Sequence, residues 1–328
     1  MPSGIVRRVV TLLLLATAAT VSSPAAAADD PYSLPWQLRL AGALTVVRVD
    51  SMFSGYTNAA GASGGFAVAP TLTASYKIPG TGIPGLTDGF SGLAPFVRFA
   101  AVNDSPPSPA TGGFAIVNPL VGATYGISLP ASLRASAFLC ATIPVGMGNG
   151  DTPSAGVTDA RSAGQNSRSQ LDDALFAVDD FALLPGVDLA WVSGGITLQV
   201  EAAVAQLWRV NGSGINPATK KAPDPDPNKT NFSSGVHLGY FIIPLLSVGA
   251  ELRYQRWLTP PMAVTNDKTG TLPIDNATFA IGPRLHLPLG PVTMHPGIAW
   301  SQGIDAAANA PLNFNHYHTV QLDIPLVF

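Results

Sequence analysis

The sequence predicts an all-β protein, a transmembrane antiparallel up-and-down β-barrel of about 12 strands. Three observations predict this class. Charged residues form only 11% of the 328-residue chain, whereas a soluble domain usually carries roughly 25%. Beyond a short run near the N-terminus, no apolar stretch approaches the roughly 20 residues that a spanning helix needs. Segments of about 10 residues alternate apolar and polar side chains, as strands of membrane barrels do.

Residues 1–28 have the features of a cleaved secretory signal peptide. Two arginines precede the apolar run Val9–Val21, and a group of alanines supplies a small-residue cleavage site. The apolar run is too short to anchor a protein in a membrane. We therefore expect a mature chain that starts at Asp29 and forms a single barrel domain over residues 29–328.

Composition excludes several other functions. The signal peptide contains two of the 17 basic residues, so 20 acidic residues face 15 basic ones in the mature chain. That balance gives no reason to expect nucleic-acid binding. Cys140 is the single cysteine, which rules out an internal disulfide and predicts an unreactive buried side chain. No pattern points to a cofactor or a metal.

Period-2 alternation begins at Trp36. In the segment 36–46, Trp36, Leu38 and Leu40 fall on one face and Gln37 and Arg39 on the other, so lipid is expected outside and the lumen inside. The same pattern recurs along the chain. The 12 predicted strands are 36–46, 66–78, 93–102, 114–127, 131–145, 181–192, 195–210, 231–243, 245–257, 276–288, 291–303 and 315–328.

The predicted connections alternate between very short turns and long polar loops, which is the pattern of periplasmic turns and extracellular loops, with both termini periplasmic. The loop 146–175 is long enough to cap or enter the pore. Residues 79–92 depart from the pattern because this turn should be short, so an extra hairpin or a misplaced strand is an alternative there. Prolines inside predicted strands also weaken the strand count, and 10 or 14 strands remain alternatives. These prolines are Pro70, Pro119, Pro283 and Pro296.

The C-terminus resembles that of Gram-negative outer-membrane β-barrel proteins. Ile324, Leu326 and the terminal Phe328 alternate with Asp323 and other inward positions. In that class a terminal aromatic residue on such a strand is the signal that the barrel-assembly machinery reads. The resemblance covers the whole mature chain but no single subfamily. It implies the outer membrane as location, with lipid and lipopolysaccharide as surroundings.

The predicted function rests on the lumen-facing side chains. Twelve strands lie between barrels of about 8 strands, which side chains fill, and barrels of about 16 to 18, which form wide channels. Basic side chains dominate the first five predicted strands, and acidic ones the next four. A basic wall facing an acidic wall would orient dipolar solutes and influence ion selectivity. The predicted pore-lining residues are Arg39, Lys77, Arg98, Arg134, Asp188, Glu201, His237, Glu251, Arg253, Arg284, His295 and Asp323.

The sequence thus favours a narrow, porin-like channel for passive diffusion of small hydrophilic solutes, with no enzymatic activity. Two alternatives remain open. The lumen charges could pair with one another and give a structural or plugged barrel without transport. A lipid hydrolase is less favoured. Its suggestive cluster is Asn313–His318, where His316 and His318 would face outward and Tyr317 would fit an aromatic belt, but no serine nucleophile motif accompanies these residues.

Overall fold

The computed structural model describes residues 30–58, 61–83, 89–150, 154–168, 172–211, 228–266, 274–304 and 316–328. The predicted signal peptide lies outside them. Fifteen strand segments form one sheet, and the sheet closes because β1 (Val46–Thr57) pairs antiparallel with β15 (His316–Val327). The other strands are β2 (Gly65–Ser75), β3 (Gly92–Ser105), β4 (Gly113–Ile116), β5 (Leu120–Leu129), β6 (Leu133–Thr142), β7 (Asp180–Ser193), β8 (Ile196–Arg209), β9 (Asn228–Ile243), β10 (Leu246–Thr259), β11 (Asp275–Leu285), β12 (Leu287–Leu289), β13 (Val292–Met294) and β14 (Gly297–Gly303).

The segments occupy 12 positions around the barrel. Both β4 and β5 pair with β3 and follow each other along it. The β12–β13 hairpin prolongs the pair formed by β11 and β14, and β13 also pairs with β15. The fold is therefore a closed antiparallel barrel of 12 strands, which confirms the predicted class and number.

Three helices lie among the described residues: α1 (Ala155–Ser167), α2 (Asp173–Phe176) and α3 (Met262–Asn266). None of these helices is long and apolar enough to cross a membrane.

The two ends of the barrel differ in their connections. We name the end that carries Val46 and Val327 the terminal rim, and the end that carries Thr57 and His316 the loop rim. Short turns join strands at the terminal rim, as between β7 and β8, where Gly194 and Gly195 have φ values of +59° and +77°. Positive φ at both positions is what a type I′ hairpin turn requires. Long connections lie at the loop rim, so the predicted alternation is confirmed, except that the long β2–β3 connection belongs to the terminal rim.

The two faces of the wall differ in polarity. On β1, Val49 and Phe53 point outward and are 46% and 36% exposed, whereas Arg48, Asp50 and Ser54 point inward and are buried. Outward apolar and inward polar side chains satisfy lipid on one side and a polar interior on the other. The main apolar core lies inside the barrel, where α1 and α2 pack against the inner wall.

The prediction of a first strand over 36–46 is wrong. Strand β1 starts at Val46, within the region assigned to that strand and the following loop. Residues 31–45 form no strand and lie inside the lumen, where Trp36 and Leu38 are 1% and 2% exposed. The alternation changes phase at the start of β1, because the large apolar residues are even-numbered from Trp36 to Val46 and odd-numbered from Val47 to Phe53. The sequence thus carried a signal of the strand's start that the prediction did not use.

The strand prolines are accommodated without a shift of register. In the pairing of β2 with β3, Val68 and Thr71 have partners, while none is recorded for Ala69 and Pro70. Pro283 interrupts the β11–β14 pairing in the same way. Pro119 separates β4 from β5, and Pro296 precedes β14. Because proline has no N–H group, each of these residues removes single hydrogen bonds between strands. The barrel remains closed.

Candidate functional site: the occupied lumen

The lumen is entered from the terminal rim by residues 31–45, which we name the inner segment. Its backbone is held by wall side chains. The N–H groups of Trp36 and Gln37 donate to the Glu251 carboxylate at 2.7 and 3.0 Å. Arg39 donates to the Glu201 carboxylate twice, from its backbone N–H at 2.6 Å and from its side-chain Nη1 at 3.1 Å. Because a closed barrel has no free sheet edge, buried N–H groups inside it need such acceptors.

Trp36 is the apolar anchor of the inner segment. Its indole Nε1–H donates to the carbonyl of Gly249 at 3.0 Å, and the Arg284 guanidinium lies 4.3 Å from the ring centroid. A Cβ atom at Gly297 would lie 2.8 Å from the indole. The absence of a side chain at Gly297 therefore makes the room in which Trp36 is buried.

A second aromatic contact holds the inner segment near the terminal rim. The Arg134 guanidinium lies 3.4 Å from the centroid of the Phe90 ring and 5.2 Å from that of Tyr32. Phe90 belongs to the unusually long β2–β3 connection, and its carbonyl also accepts a hydrogen bond from the Ala43 N–H at 2.7 Å. The described parts of this connection, 79–83 and 89–91, form no strand, and Phe90 supports the inner segment.

The lumen is entered from the loop rim by residues 155–168 and 172–176, which contain α1 and α2 and which we name the loop insert. The insert is held by ion pairs around Arg168, which has no exposed surface. Its Nη1 lies 2.6 Å from Asp50 on β1, and its Nε lies 2.6 Å from Asp172. Arg98 on β3 contacts the same Asp172 at 2.9 Å. The described helical parts of the loop 146–175 thus lie inside the barrel, one of the two outcomes that its length allowed.

Two adjacent carboxyl groups of the loop insert have opposite pKa shifts. Burial alone would raise the pKa of Asp172, but Arg98 and Arg168 lower it to about 2. Burial raises the pKa of Asp173 to about 7, and the charge of Asp172 adds to the rise. Hydrogen bonds from Gln165 and from Asn231 on β9, both 2.7 Å long, partly offset it. At moderately acidic pH the charged carboxylate of Asp172 therefore attaches the insert to β3, and the largely neutral carboxyl group of Asp173 attaches it to β9.

Charged side chains of the wall also pair with their neighbours around the wall. Asp323 accepts from Arg48 at 2.8 Å and from Arg284 at 2.6 Å, and Arg48 also donates to the backbone carbonyl of Pro35 at 3.0 Å. Farther round the wall, the Arg253 Nε lies 3.6 Å from Glu251. Basic and acidic groups thus contact one another, so the lumen is not a pair of opposed walls separated by open water.

The predicted pore-lining residues have different positions. Nine are on the inner wall, but Arg39 belongs to the inner segment, Lys77 lies at the terminal rim with its Nζ 2.8 Å from the Gly89 carbonyl, and His295 lies at the same rim beside His286. The nine wall residues are Arg98, Arg134, Asp188, Glu201, His237, Glu251, Arg253, Arg284 and Asp323. Phe328 ends the chain beside β1, and its N–H donates to the Thr45 carbonyl at 3.0 Å.

Sequence reasoning missed five charged residues that hold the lumen contents. Arg48 lay between the predicted strand 36–46 and the following loop, and Asp50 lay in that loop, although both alternate with Val47 and Val49 and so carried a strand signal. The other three lie in the 146–175 loop, where no periodicity marks a residue as buried. They are Arg168, Asp172 and Asp173.

A cavity of about 80 Å³ lies between the inner segment and the wall of β1, β2, β3 and β5. A water-sized sphere occupies about 10–15 Å³, so several water molecules fit in this cavity. Its lining combines the guanidinium groups of Arg39, Arg48 and Arg98 with apolar side chains such as Leu38 and Phe96.

The predicted hydrolase cluster lies only partly within the described residues. Tyr317 stacks on Tyr56 with ring centroids 4.7 Å apart and packs near Ala163 of α1, so it faces the lumen and not an aromatic belt. His318 is exposed on the opposite face. The side chain of His316 and residues 313–315 lie outside the described residues.

A serine–histidine–histidine chain occurs at the terminal rim instead. The Ser247 hydroxyl lies 2.8 Å from Nε2 of His286, whose Nδ1 lies 2.8 Å from Nδ1 of His295. This geometry resembles that of a nucleophile, a base and an orienting group. However, Ser247 has no exposed surface, so a substrate cannot reach its hydroxyl in this conformation.

Neither a family model nor a curated protein matches the sequence. Solved structures do match the fold. An outer-membrane channel from Pseudomonas putida F1 has a TM-score of 0.50 at 12% identity, over 94% of this chain and all of that one (100%). The NanC porin has a TM-score of 0.48 at 8% identity, over 86% of this chain and 98% of its own. LpxR from Salmonella typhimurium has a TM-score of 0.39 at 10% identity, over 87% of this chain and 100% of its own.

Identities this low show the fold alone. That fold is the closed antiparallel 12-strand β-barrel with an apolar outer face, which the solved outer-membrane channel shares; no subfamily is assigned.

Proposed function

We propose that the protein is a narrow outer-membrane channel for passive diffusion of small hydrophilic solutes. The observation that carries this proposal is the polar cavity beside the inner segment. It shows that 12 strands enclose more space than the wall side chains and the two obstructions fill. The fold by itself does not decide the function, since barrels of this kind serve several.

The proposal includes export by the signal peptide 1–28, assembly through Phe328, and lipid and lipopolysaccharide around the apolar outer face. The terminal rim then faces the periplasm and the loop rim the cell exterior. In this orientation the inner segment narrows the periplasmic half of the lumen, and the loop insert narrows the external half.

Conduction through this lumen requires one or both obstructions to shift. Neither is part of the barrel sheet, and both are attached to the wall mainly by side-chain contacts with Glu201, Glu251, Asp50 and Arg98. A shift would therefore leave the ladder of backbone hydrogen bonds between strands intact. Because the path is narrow at rest, we expect small conductance and slow solute flux.

A plugged structural barrel is the alternative that specific contacts favour. Buried ion pairs that close the lumen, such as those of Arg168 and Asp323, are costly to separate because each charge would be left alone in a poorly solvated interior. In that reading the lumen charges serve only to hold the two obstructions in place. We propose no enzymatic role, because the Ser247 hydroxyl lacks access.

Planar-bilayer recording of refolded full-length mature protein tests the proposal. Discrete ohmic steps that disappear when the preparation is unfolded by heat would support a channel. Silence in preparations whose heat-modifiable gel mobility shows a folded barrel would contradict it and favour the plugged alternative. A liposome-swelling assay with neutral sugars of increasing size would then set the size limit of the solutes.

A further inference from the structure

The cavity beside the inner segment has a basic end and an apolar end. Arg48, Thr73 and Arg98 are register partners on β1, β2 and β3, so they form one row across the wall. The next inward row toward the terminal rim contains Val46 and Phe96. Leu38, Leu40 and Ala94 complete the apolar lining. Charge is thus concentrated at the inner end of the cavity.

Arg98 is the guanidinium with spare donors. Among the described residues its one hydrogen bond goes to Asp172 at 2.9 Å. Its contact with Asp50 is 3.8 Å long, beyond hydrogen-bond distance, and its buried Nε–H has no partner. Arg48, by contrast, uses its donors on Asp323 and on the Pro35 and Trp36 carbonyls. A ligand acceptor in the cavity would therefore be recognised by Arg98.

Arg39 and Asp50 complete the electrostatics of the cavity. The Arg39 side chain is 20% exposed and donates to Glu201 through Nη1, which leaves further donors on the fork of its guanidinium. Asp50 also lines the cavity, but its carboxylate accepts from Thr71 and from Arg168. Arg168 therefore compensates the one acidic residue of the cavity lining, while Asp172, the partner of Arg98, lies outside that lining.

We propose that this cavity binds small organic monocarboxylates that have an apolar body, such as benzoate-sized ions. The carboxylate is held by Arg98, with Arg39 beside it, and the apolar body lies among Leu38, Phe96 and Ala94. Guanidinium forks match carboxylates in geometry and charge, and burial of the apolar body adds affinity in proportion to the area removed from water. As a step in transport, the site rests on the proposed channel.

Binding of radiolabelled benzoate to the purified, folded barrel in detergent tests the site without reference to conduction. Benzamide has the same shape without the charge, and acetate has the charge without the apolar body. We expect benzoate to bind at least about tenfold more tightly than either competitor, the size expected for one hydrogen bond to a charged group. Equal competition by benzamide, or no saturable benzoate binding, would overturn the proposal.

Variants locate the binding within the barrel. Arg98→Gln should weaken benzoate binding roughly tenfold or more, whereas Arg98→Lys, which keeps the charge, should lose less. Ala94→Leu fills the apolar end without a change of charge and should also weaken binding. Arg256→Gln is the matched control, since Arg256 is half exposed and paired with Asp275 outside the cavity. Unchanged binding in folded Ala94→Leu would place the site elsewhere, even if Arg98→Gln failed to fold.

Bilayer recordings on the same preparations separate this inference from the channel. Saturable benzoate binding in a silent barrel would support the site and refute the channel. Conductance without such binding would refute the site and leave the channel intact.

Discussion

The two obstructions of the lumen are held to the wall by different donor groups. The inner segment is irregular, and its N–H groups donate to Glu201 and Glu251 of the wall. The loop insert is helical, so α1 satisfies most of its backbone internally, and it is held by the guanidinium of Arg168. Wall carboxylates thus accept hydrogen bonds from both obstructions. The donors are backbone N–H groups in the inner segment and a buried guanidinium in the loop insert.

This difference shows what each obstruction requires to leave the lumen. Withdrawal of the inner segment leaves wall carboxylates without donors, but Glu251 retains Arg253 at 3.6 Å. Withdrawal of the loop insert takes Arg168 from Asp50, which is then left with Thr71 and the distant Arg98. We therefore expect the inner segment to be the more readily displaced of the two.

The largest expected effect is that of removing both obstructions. Deletion of 31–44 and of 155–176 should each raise single-channel conductance, and the double deletion should raise it severalfold, because two constrictions in series limit the current together. The comparison predicts a larger increase from whichever deletion removes the tighter constriction. Unchanged conductance in a folded double deletion would show that the wall itself closes the lumen.

A smaller effect is expected from Arg168→Ala. The substitution leaves Asp50 and Asp172 with fewer partners in a buried network, so the free energy of unfolding should fall by about 3–5 kcal/mol. Arg256→Ala removes an ion pair in which Arg256 is 50% exposed, and should leave the free energy of unfolding almost unchanged. The test is to measure the urea concentration at the unfolding midpoint for both variants in the same detergent. Equal midpoints would show that the ion pairs of Arg168 do not hold the insert.

Glu251→Gln should have a milder effect than Arg168→Ala. An amide oxygen still accepts the Trp36 N–H, but the charge that faces Arg253 is lost, so a cost of about 1–3 kcal/mol is expected. Because Glu251 contacts the inner segment, its substitution should also speed proteolysis within residues 31–45 while the barrel stays intact. Protection equal to that of the unmodified protein would show that Trp36 alone fixes the segment.

The smallest effect concerns pH. The folded pKa of Asp173 is raised to about 7, so protonation stabilises the closed insert, and this stability is lost as pH rises toward and through about 7. Asp172, with its pKa lowered to about 2, acts in the opposite sense, since its contribution is lost only as pH falls from about 4 toward 2. Conductance should therefore increase from about pH 4 to about pH 7 and level off above that range, and Asp173→Asn, a neutral analogue, should flatten the change. A pH response of equal size in Asp173→Asn would assign it to another group.

Much of the barrel could be predicted from sequence because each strand carries its own signal. Phe66, Val68 and Leu72 alternate with small or polar residues on β2, and their outward positions follow from the pleat alone. Short turns between such strands fix the antiparallel order. These are local properties, and they gave the correct number of strands even though one strand was misplaced.

The content of the lumen could not be predicted in the same way. Trp36 and Leu38 alternate with Gln37 and Arg39 as strand residues do, yet they pack against an inner wall that exists only after the strands have closed. Gly297 makes room for Trp36 from a position more than 250 residues later in the chain. No local pattern links two residues so far apart.

The sequence by itself determined a closed barrel with a polar interior, because alternation and turns act over a few residues. Only the tertiary structure decided how the interior charges are used. Whether Arg98 faces water, Asp172 or a solute depends on where the loop insert comes to rest, and that position is set by contacts between strands and loops distant in sequence. The pairing of Arg168 with Asp50, 118 residues apart, is such a contact, since it forms only when β1 and the loop insert meet inside the finished barrel.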